Sequence, residues 1–379
     1  MSAMAPPLGL RAALVIGLAS AFTAAIAAGL GLASGEAAYG VIVAALVVRP
    51  DFSRWPLPIY PVLVGVIGLS MAIGLLMGEA FAGAPTVFVF GLVAATMQCL
   101  MLLLPGKLRP LANVLAITGV LPLLSATSSW TSVGNQLAAI VLGLAIGSVT
   151  QIVLTPAGLP QKERPTKESA AGEPPLAQRL RTNLASAFFW RKLVFAALAL
   201  AIGEGLGAVE PKYLYFGVVL LLNDSLGATL GRVRDRMVGV TLGILMPLLV
   251  FNSIGLNEVS TGLVLGGTAA LMVAVNRTQY LRTALISSGV AFVGYGPLVA
   301  WYIPHRWIDY LMGCGLALAA GLLFRPTSAL KQYRALLLTG EASADALARL
   351  RPAAMEEARW LGQSLAGPSP VMDPLRELR

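Results

Sequence analysis

The densest group of polar side chains in this 379-residue sequence stands directly after one of its apolar runs. Asn223 and Asp224 follow the apolar run 218–222, and Arg232 and Arg236 lie a few helical turns further on. An ionised side chain inside a membrane is costly unless it is paired or faces a cavity, and arginine can hold a carboxylate through two parallel hydrogen bonds. These four residues therefore predict a binding site for a small organic anion. An ordinary basic loop with local ion pairs is the alternative that the sequence leaves open.

Two further acids stand within or beside apolar stretches. Glu204 lies between Gly203 and Gly205, and Asp309 lies within the last apolar stretch. Burial favours the uncharged form of a carboxyl group, so either residue could carry a proton. Both are proton-coupling candidates. The simpler interpretation of each is an acid at the outer interface that faces water.

Residues for metal, redox or nucleotide chemistry are sparse. The sequence holds one histidine, His305, and two cysteines, Cys99 and Cys314, which both lie within apolar stretches. A lone histidine and two isolated thiols make neither a zinc site nor a disulfide framework. The sequence also lacks the Gly-Lys-Ser/Thr motif of a phosphate-binding loop. We therefore expect no metal, no cofactor and no enzymatic activity.

Twelve apolar stretches must position these side chains. A helix needs about 20 mostly apolar residues to cross a hydrocarbon layer of about 30 Å, and its backbone groups must be satisfied within the protein. With 57% hydrophobic and 12% charged residues, the sequence is too apolar for a soluble domain. We predict an all-α integral membrane protein of about twelve transmembrane helices. The stretches are 11–33, 37–48, 59–78, 85–104, 110–127, 134–154, 192–209, 213–230, 237–251, 260–275, 281–301 and 307–324.

The basic residues indicate how the chain is oriented and divided. If the N-terminus is cytoplasmic, 25 of the 27 lysines and arginines fall on the cytoplasmic side, and both termini share that side. The net charge of +9 comes from residues dispersed at helix ends without aromatic platforms, so we expect contact with lipid and no nucleic-acid partner. The predicted units are a first membrane repeat at 1–154, a cytoplasmic linker at 155–191 with a short helix over 176–189, a second membrane repeat at 192–325, and a cytoplasmic helical tail at 326–379 that Pro352 divides.

The two sets of six stretches repeat each other. Glycines of the first half fall on glycines of the second at displacements of 170 or 171 residues, or near them after a small gap: Gly143 on Gly313, Gly91 on Gly262 and Gly40 near Gly217. Six stretches per half predict two parallel six-helix repeats. Substrate sites of such duplicated transporters commonly lie between the halves, so we expect the anion site there.

Two segments of the second half resemble motifs of a known family. The first begins with an arginine and continues with closely spaced glycines, and the second has an arginine, an acid and a glycine. Both are similar to motifs of the fusaric acid resistance and aromatic acid exporter superfamily. The threonine of the first segment stands one place later than is usual in that family. The motif residues are Arg236, Gly239, Thr241 and Gly243 in the first segment, and Arg306, Asp309 and Gly313 in the second.

The resemblance implies an activity and partners. It implies paired six-helix units in a bacterial inner membrane that export aromatic or other weak organic acids, and we expect proton entry to drive the cycle. The short cytoplasmic parts are similar to a compact bacterial branch whose members are often paired with a periplasmic adaptor, so an adaptor is an expected partner, and a homo-oligomer is left open. One alternative is a passive organic-anion channel, as in plant relatives of the family. The other is a major-facilitator-type transporter, because residues 231–236 loosely resemble the loop motif of that superfamily.

Overall fold

The computed structural model describes residues 8–105, 108, 111–124, 129–155, 174–323, 327–339 and 344–365. These residues form helices and connections, and no β-sheet forms among them. The first half contains α1 (Leu8–Gly29), α2 (Ser34–Val47), α3 (Ile59–Ala80), α4 (Thr86–Leu103), α5 (Ala112–Leu124) and α6 (Trp130–Leu154). After α7 (Leu176–Leu184) come α8 (Ala187–Gly205), α9 (Lys212–Leu221), α10 (Leu226–Gly243), α11 (Leu245–Ile254), α12 (Glu258–Ala274), α13 (Leu281–Gly289), α14 (Val299–Leu322), α15 (Ala329–Thr339) and α16 (Ala344–Leu361).

Five of the helical segments are long and apolar enough to cross a membrane. They are α1, α3, α4, α6 and the continuous pair α10–α11. The pair α7–α8 is a sixth candidate and is bent by 78°. Four further helices, α2, α5, α9 and α12, are apolar but have only 10 to 17 residues. In the part of the chain that is described, the protein is therefore an all-helical membrane protein, as predicted.

The eighth predicted stretch, 213–230, is divided in the structure. α9 ends before residues 222–225, which form no helix, and α10 follows at once. Ser225 begins α10, because its hydroxyl accepts a hydrogen bond from a backbone N–H in the first turn. Arg232 and Arg236 consequently lie inside α10. Both arginines stand between the predicted stretches 213–230 and 237–251, and the structure makes that connection helical.

The helices of the two halves pack in matching pairs. α1 packs against α12, and α4 packs against α8. If the continuous pair α10–α11 is counted as one helix, the first helix of each half thus contacts the fourth helix of the other. Within the halves, α2 packs against α6 as α9 packs against α14, and α3 packs against α5 as α10 packs against α13. These contacts bring α9, α10, α13 and α14 together in the second half.

Glycines permit the closest of these approaches. A Cβ atom at Gly313 would lie 2.6 Å from the carbonyl oxygen of Tyr213, and a Cβ atom at Gly143 would overlap the carbonyl group of Gly40. Gly40 and Gly143 thus join α2 to α6, and Gly217 and Gly313 join α9 to α14 in the same manner. Both contacts need residues without side chains, because the helix backbones touch.

Short helices precede and follow the second half. The predicted linker helix 176–189 ends earlier, at Leu184, and α8 begins inside the predicted linker. In the tail, α15 and α16 pack against each other and against α10. Pro352 lies inside α16 and does not divide the tail as predicted, since the turn that follows it packs against Gly227 of α10. Residues 156–173 of the linker predicted at 155–191, and the last residues, 366–379, lie outside the described residues.

Candidate functional site

Arg306 is a buried cation inside the last helix of the second half. It belongs to α14 and is 1% exposed. Residues four apart lie on one face of a helix, so Tyr302, Arg306 and Tyr310 share a face, and all three are buried. That face of α14 is turned toward α9 and α10, which pack against it. The helical period of α14 therefore buries the charge of Arg306.

Three tyrosine rings surround the guanidinium group of Arg306. The Cζ atom lies 5.2 Å from the ring centroid of Tyr213, 5.6 Å from that of Tyr302 and 5.2 Å from that of Tyr310. The hydroxyl groups of Tyr213 and Tyr302 are hydrogen-bonded to each other. A cation over an aromatic face gains about 2 kcal/mol when both are removed from water. The rings hold the charge in place without neutralising it.

Arg236 of α10 brings a second guanidinium group to the same place. Its Nη2 donates a hydrogen bond of 2.8 Å to the Tyr310 hydroxyl, and its Cζ lies 5.0 Å from the ring centroid of Tyr310. The Nη2 of Arg306 donates to the same hydroxyl at 3.3 Å. Tyr310 is thus shared by two arginines from different helices. We call Arg236, Arg306, Tyr213, Tyr302 and Tyr310 the arginine–tyrosine cluster.

No carboxylate neutralises this cluster among the described residues. Asp309 is the acid nearest to Arg306 in the sequence, but its carboxylate accepts hydrogen bonds from the backbone N–H groups of Val209, at 3.2 Å, and Glu210, at 2.7 Å. Neither Arg306 nor Arg236 forms an ion pair in this part of the chain. A buried charge without an opposite charge is costly, and charges inside membranes usually mark functional sites. The cluster therefore lacks an anion.

Two buried polar atoms beside the cluster have no hydrogen-bond partner among the described residues. They are the Oγ atom of Ser287 and the Nε atom of Arg306. The carbonyl oxygen of Ser287 accepts a hydrogen bond of 3.4 Å from Nη1 of Arg306, so the two residues are neighbours. Buried polar groups in folded proteins are nearly always bonded. An anionic ligand would supply acceptors for these two donors.

Arg191 is a second buried arginine, and backbone carbonyls bind its guanidinium group. It is 2% exposed, and it donates to the backbone carbonyls of Gly321, Leu323 and Asp224 at 2.9, 3.2 and 3.5 Å. Two of these carbonyls lie at the end of α14, where a helix leaves backbone acceptors unpaired. Arg306 reaches one carbonyl, at 3.4 Å. The fold therefore depends on the charge of Arg191 and much less on that of Arg306.

The cluster lies half way along α14 and beside a break in α13. Tyr310 is the twelfth of the 24 residues of α14. After α13 the chain forms a π-helical turn, Val290–Gly294, and then a short 3-10 turn that leads into α14. Turns of the π type are rare and often accompany functional sites. All four helices around the cluster belong to the second half, so this site does not lie between the halves, where the sequence analysis expected it.

A chain of polar groups leads from the cluster to Glu210. Tyr295 stacks on Tyr302, and its hydroxyl donates to Oε1 of Glu210 at 2.6 Å. Lys212 forms an ion pair with Glu210 at 2.8 Å and donates to the Tyr295 hydroxyl at 3.1 Å. Since Tyr302 is hydrogen-bonded to Tyr213, these contacts connect a partly exposed carboxylate with the cluster through tyrosines.

The other predicted substrate-binding residues lie near the break between α9 and α10. Arg232 donates to a backbone carbonyl of α9 at 3.1 Å, and the side-chain amide of Asn223 donates to another at 2.9 Å. Asp224 is exposed. The structure places none of these three in the cluster. Of the four predicted substrate-binding residues, it places Arg236 there.

The remaining predicted residues have separate positions. Glu204 is exposed near the end of α8. Gly239 and Gly243 face α13, and a Cβ atom at Gly243 would lie 2.6 Å from a backbone carbonyl of that helix. The hydroxyl of Thr241 accepts a hydrogen bond of 3.1 Å from the indole N–H of Trp307. With Gly313 in contact with α9, these motif residues set the distances between the helices that carry the cluster.

Four tyrosines of the site and its surroundings were not predicted from the sequence. Tyr213, Tyr295, Tyr302 and Tyr310 stand in or near apolar stretches, where an aromatic residue is commonly a core or interface residue. The signal that could have found two of them is the spacing of Tyr302 and Tyr310, four residues on either side of Arg306. With that spacing, Arg306 would have been predicted as a site residue and not only as a motif residue.

Comparison with known proteins gives a family match for the part of the chain that holds the cluster. Residues 197–320 match the family model described as fusaric acid resistance protein-like. The match includes every residue of the cluster, and it confirms the resemblance that the motifs indicated. No curated protein and no solved structure matches the chain.

Proposed function

We propose that this membrane protein exports aromatic or other weak organic acids, since its residues 197–320 match the family model described as fusaric acid resistance protein-like. The observation that carries the proposal is the pair of arginines, Arg236 and Arg306, that meet at Tyr310 without a neutralising acid among the described residues. An exported organic anion would supply the missing negative charge.

The chemistry of the cluster suits an aromatic carboxylate. The carboxylate oxygens would accept hydrogen bonds from Arg236, Arg306 and the hydroxyl of Tyr310, because guanidinium groups bind carboxylates through parallel N–H donors. The aromatic ring of the substrate would pack among the rings of Tyr213 and Tyr302. Neutral analogues would leave the arginine charges uncompensated, so the site would select acids in their ionised form.

The architecture proposed for this export is a bacterial inner-membrane protein with twelve spans, two parallel six-helix repeats and both termini in the cytoplasm. The matching contacts of α1 with α12 and of α4 with α8 support a duplication. The contact of Gly40 with Gly143 and that of Gly217 with Gly313 support it as well. The displacement places Gly143 on Gly313 and Gly40 near Gly217, so it maps one contact onto the other. The prevalence of basic residues on one side supports the orientation.

Coupling to protons would use the chain of polar groups that begins at Glu210. In the structure Glu210 is paired with Lys212 and accepts a hydrogen bond from Tyr295. Proton arrival on Glu210 would weaken both contacts and free Tyr295 to turn. That movement would loosen Tyr302 and open the cluster toward the outside. Glu204 and Asp309, the two candidates from the sequence, remain the alternatives for this role.

Transport by the purified full-length protein in lipid vesicles tests the substrate site. Radiolabelled benzoate should be transported and its uncharged amide should not. Arg236→Gln should lower the rate about 10-fold or more, which is the loss expected for one charged hydrogen bond. Arg54→Gln, which removes a basic residue between α2 and α3, is the matched control and should keep the wild-type rate. Unchanged benzoate transport by Arg236→Gln would refute the proposal that the arginine–tyrosine cluster binds the substrate.

An imposed proton gradient distinguishes a coupled exporter from a passive channel. A coupled protein should accumulate benzoate against its gradient, whereas a channel would only equilibrate it. Glu210→Gln should abolish accumulation while leaving downhill benzoate movement. Glu204→Gln is the control for an acid outside the cluster. Accumulation that survives Glu210→Gln and disappears with Glu204→Gln would transfer the coupling role to Glu204.

A further inference from the structure

A basic cleft lies between α10, the connection from α12 to α13, and the tail helix α16. It has a volume of about 580 Å³. Its basic residues are Arg234 of α10, Arg277 of the connection and Arg359 of α16. None of the three belongs to the arginine–tyrosine cluster. The cleft is therefore a separate site with its own charge.

The three guanidinium groups outnumber the acids near them. Glu356 holds both Arg234 and Arg359 through ion pairs, and Asp235 forms a further ion pair with Arg234 at 3.2 Å. Arg277 is exposed and forms no ion pair in the part of the chain that the structure describes. Glu356 thus fixes two guanidinium groups at the cleft, and Arg277 leaves a positive charge uncompensated.

Apolar side chains continue the cleft along α10. Val238 and Leu242 follow Arg234 at intervals of four residues, so the three lie on one face, and the rise from Arg234 to Leu242 is about 12 Å. Val275, at the end of α12, lies on the opposite wall and is 43% exposed. The cleft is consequently mostly polar, with three apolar side chains beside its basic groups, two of them on α10.

A local backbone feature places Arg277 at the cleft. Asn276 follows the end of α12 in a left-handed conformation, with a φ angle of +53°. Asparagine tolerates this conformation better than most residues do. The reversal stops α12 at the point where Arg277 can face α10 and α16.

We propose that this cleft binds an anionic phospholipid, with the phosphate-bearing headgroup among Arg234, Arg277 and Arg359 and one acyl chain along Val238 and Leu242. Basic groups next to the apolar side chains of Val238, Leu242 and Val275 match the two parts of a phospholipid, and a soluble anion would use only the basic groups. Basic clefts between membrane helices bind such headgroups, and each basic residue near an anionic surface contributes about fivefold in affinity. A bound lipid would also hold α16 against α10. The proposal depends on membrane embedding and not on the transported substrate.

Thermal unfolding of the purified full-length protein in detergent tests the proposal. Phosphatidylglycerol should raise the unfolding midpoint in a saturable way, and phosphatidylcholine and inorganic phosphate should not. The double variant Arg277→Gln/Arg359→Gln should need about 25-fold more phosphatidylglycerol for the same shift. Arg351→Gln is the matched control, because Arg351 is exposed on α16 and does not line the cleft.

Two results would overturn the lipid site. One is an equal phosphatidylglycerol shift in the wild type and the double variant. The other is a full shift with inorganic phosphate, which would leave a site for small anions. Native mass spectrometry provides a second measurement if the double variant is less stable: the single variant Arg277→Gln, which breaks no ion pair among the described residues, should retain fewer bound anionic lipids than the wild type.

Discussion

Replacement of Arg306 by glutamine separates a functional charge from a structural one. The displacement that places Gly143 on Gly313 also places Gln136 on Arg306, and Gln136 is 4% exposed in α6. Under the proposed duplication, the first half thus holds a buried glutamine at the position that corresponds to Arg306. Arg306→Gln gives the second half the side chain that the first half already accommodates.

Two opposing terms determine the effect of this change on the free energy of unfolding. The variant loses contacts with three tyrosine rings, each worth about 2 kcal/mol at most and not additive. It also removes an unpaired buried ion, whose desolvation is unfavourable by several kcal/mol. We therefore expect a net change within about 1 kcal/mol, since the two terms are of similar size.

Arg191→Gln is the matched control for this prediction. Arg191 is buried to the same extent but donates to three backbone carbonyls. Hydrogen bonds to charged groups contribute about 1.5–3 kcal/mol each, so this variant should be destabilised by about 3 kcal/mol or more. The two glutamine variants should consequently differ in stability although each removes one buried guanidinium group.

Thermal unfolding in detergent, together with calorimetric titration of benzoate, measures both effects. Arg306→Gln should unfold near the wild-type midpoint and bind benzoate about 10-fold more weakly or worse. Arg191→Gln should unfold several degrees lower and, while folded, keep its affinity. The reasoning is refuted if Arg306→Gln is as unstable as Arg191→Gln, because the charge would then serve the fold. Undiminished benzoate binding by Arg306→Gln would refute it equally.

Three further changes test other parts of the structure. Gly313→Ala should destabilise the protein by about 1–3 kcal/mol, because the new Cβ would meet a backbone carbonyl of α9 at 2.6 Å. Gly315→Ala should be tolerated in the same thermal assay, because its Cβ would meet nothing within 4 Å. Asp309→Asn should lower the unfolding midpoint by weakening two hydrogen bonds from backbone N–H groups, and the proton dependence of transport should persist; its loss would make Asp309 the coupling residue. Glu357→Gln should increase hydrogen exchange at the start of α15, since the carboxylate accepts from the first two backbone N–H groups of that helix, and unchanged protection there would contradict the cap.

Much of the helical fold is predictable from the sequence because long apolar runs have few alternatives in lipid. Each of the twelve predicted stretches overlaps a helix of the structure. The break before α10 was not predictable from hydropathy, because apolar residues continue on both sides of it. It forms where Ser225 caps α10 and where Arg191, distant in the sequence, donates to the carbonyl of Asp224.

The candidate site was predictable in part for a similar reason. Arg236 and Arg306 are recognisable from the sequence, since each begins a motif directly before a predicted apolar stretch. The tyrosines around them are ordinary membrane residues until two helices, α9 and α14, bring three rings to one guanidinium group. Asp309 appeared free in the sequence because its partners are backbone N–H groups near Glu210, which have no side-chain signature.

In the proposed twelve-span arrangement, the charges of α14 have a consequence for how the chain enters the membrane during synthesis. Arginine and aspartate near the centre of a helix each oppose insertion from the translocon by about 2.5–3.5 kcal/mol. Arg306 and Asp309 obtain their partners from Tyr213 and from the turn that precedes α9. α9 is synthesised before α14, so these partners are already available when α14 leaves the ribosome. Biogenesis of α14 should therefore be assisted by its neighbour, and α14 expressed without α9 should insert poorly.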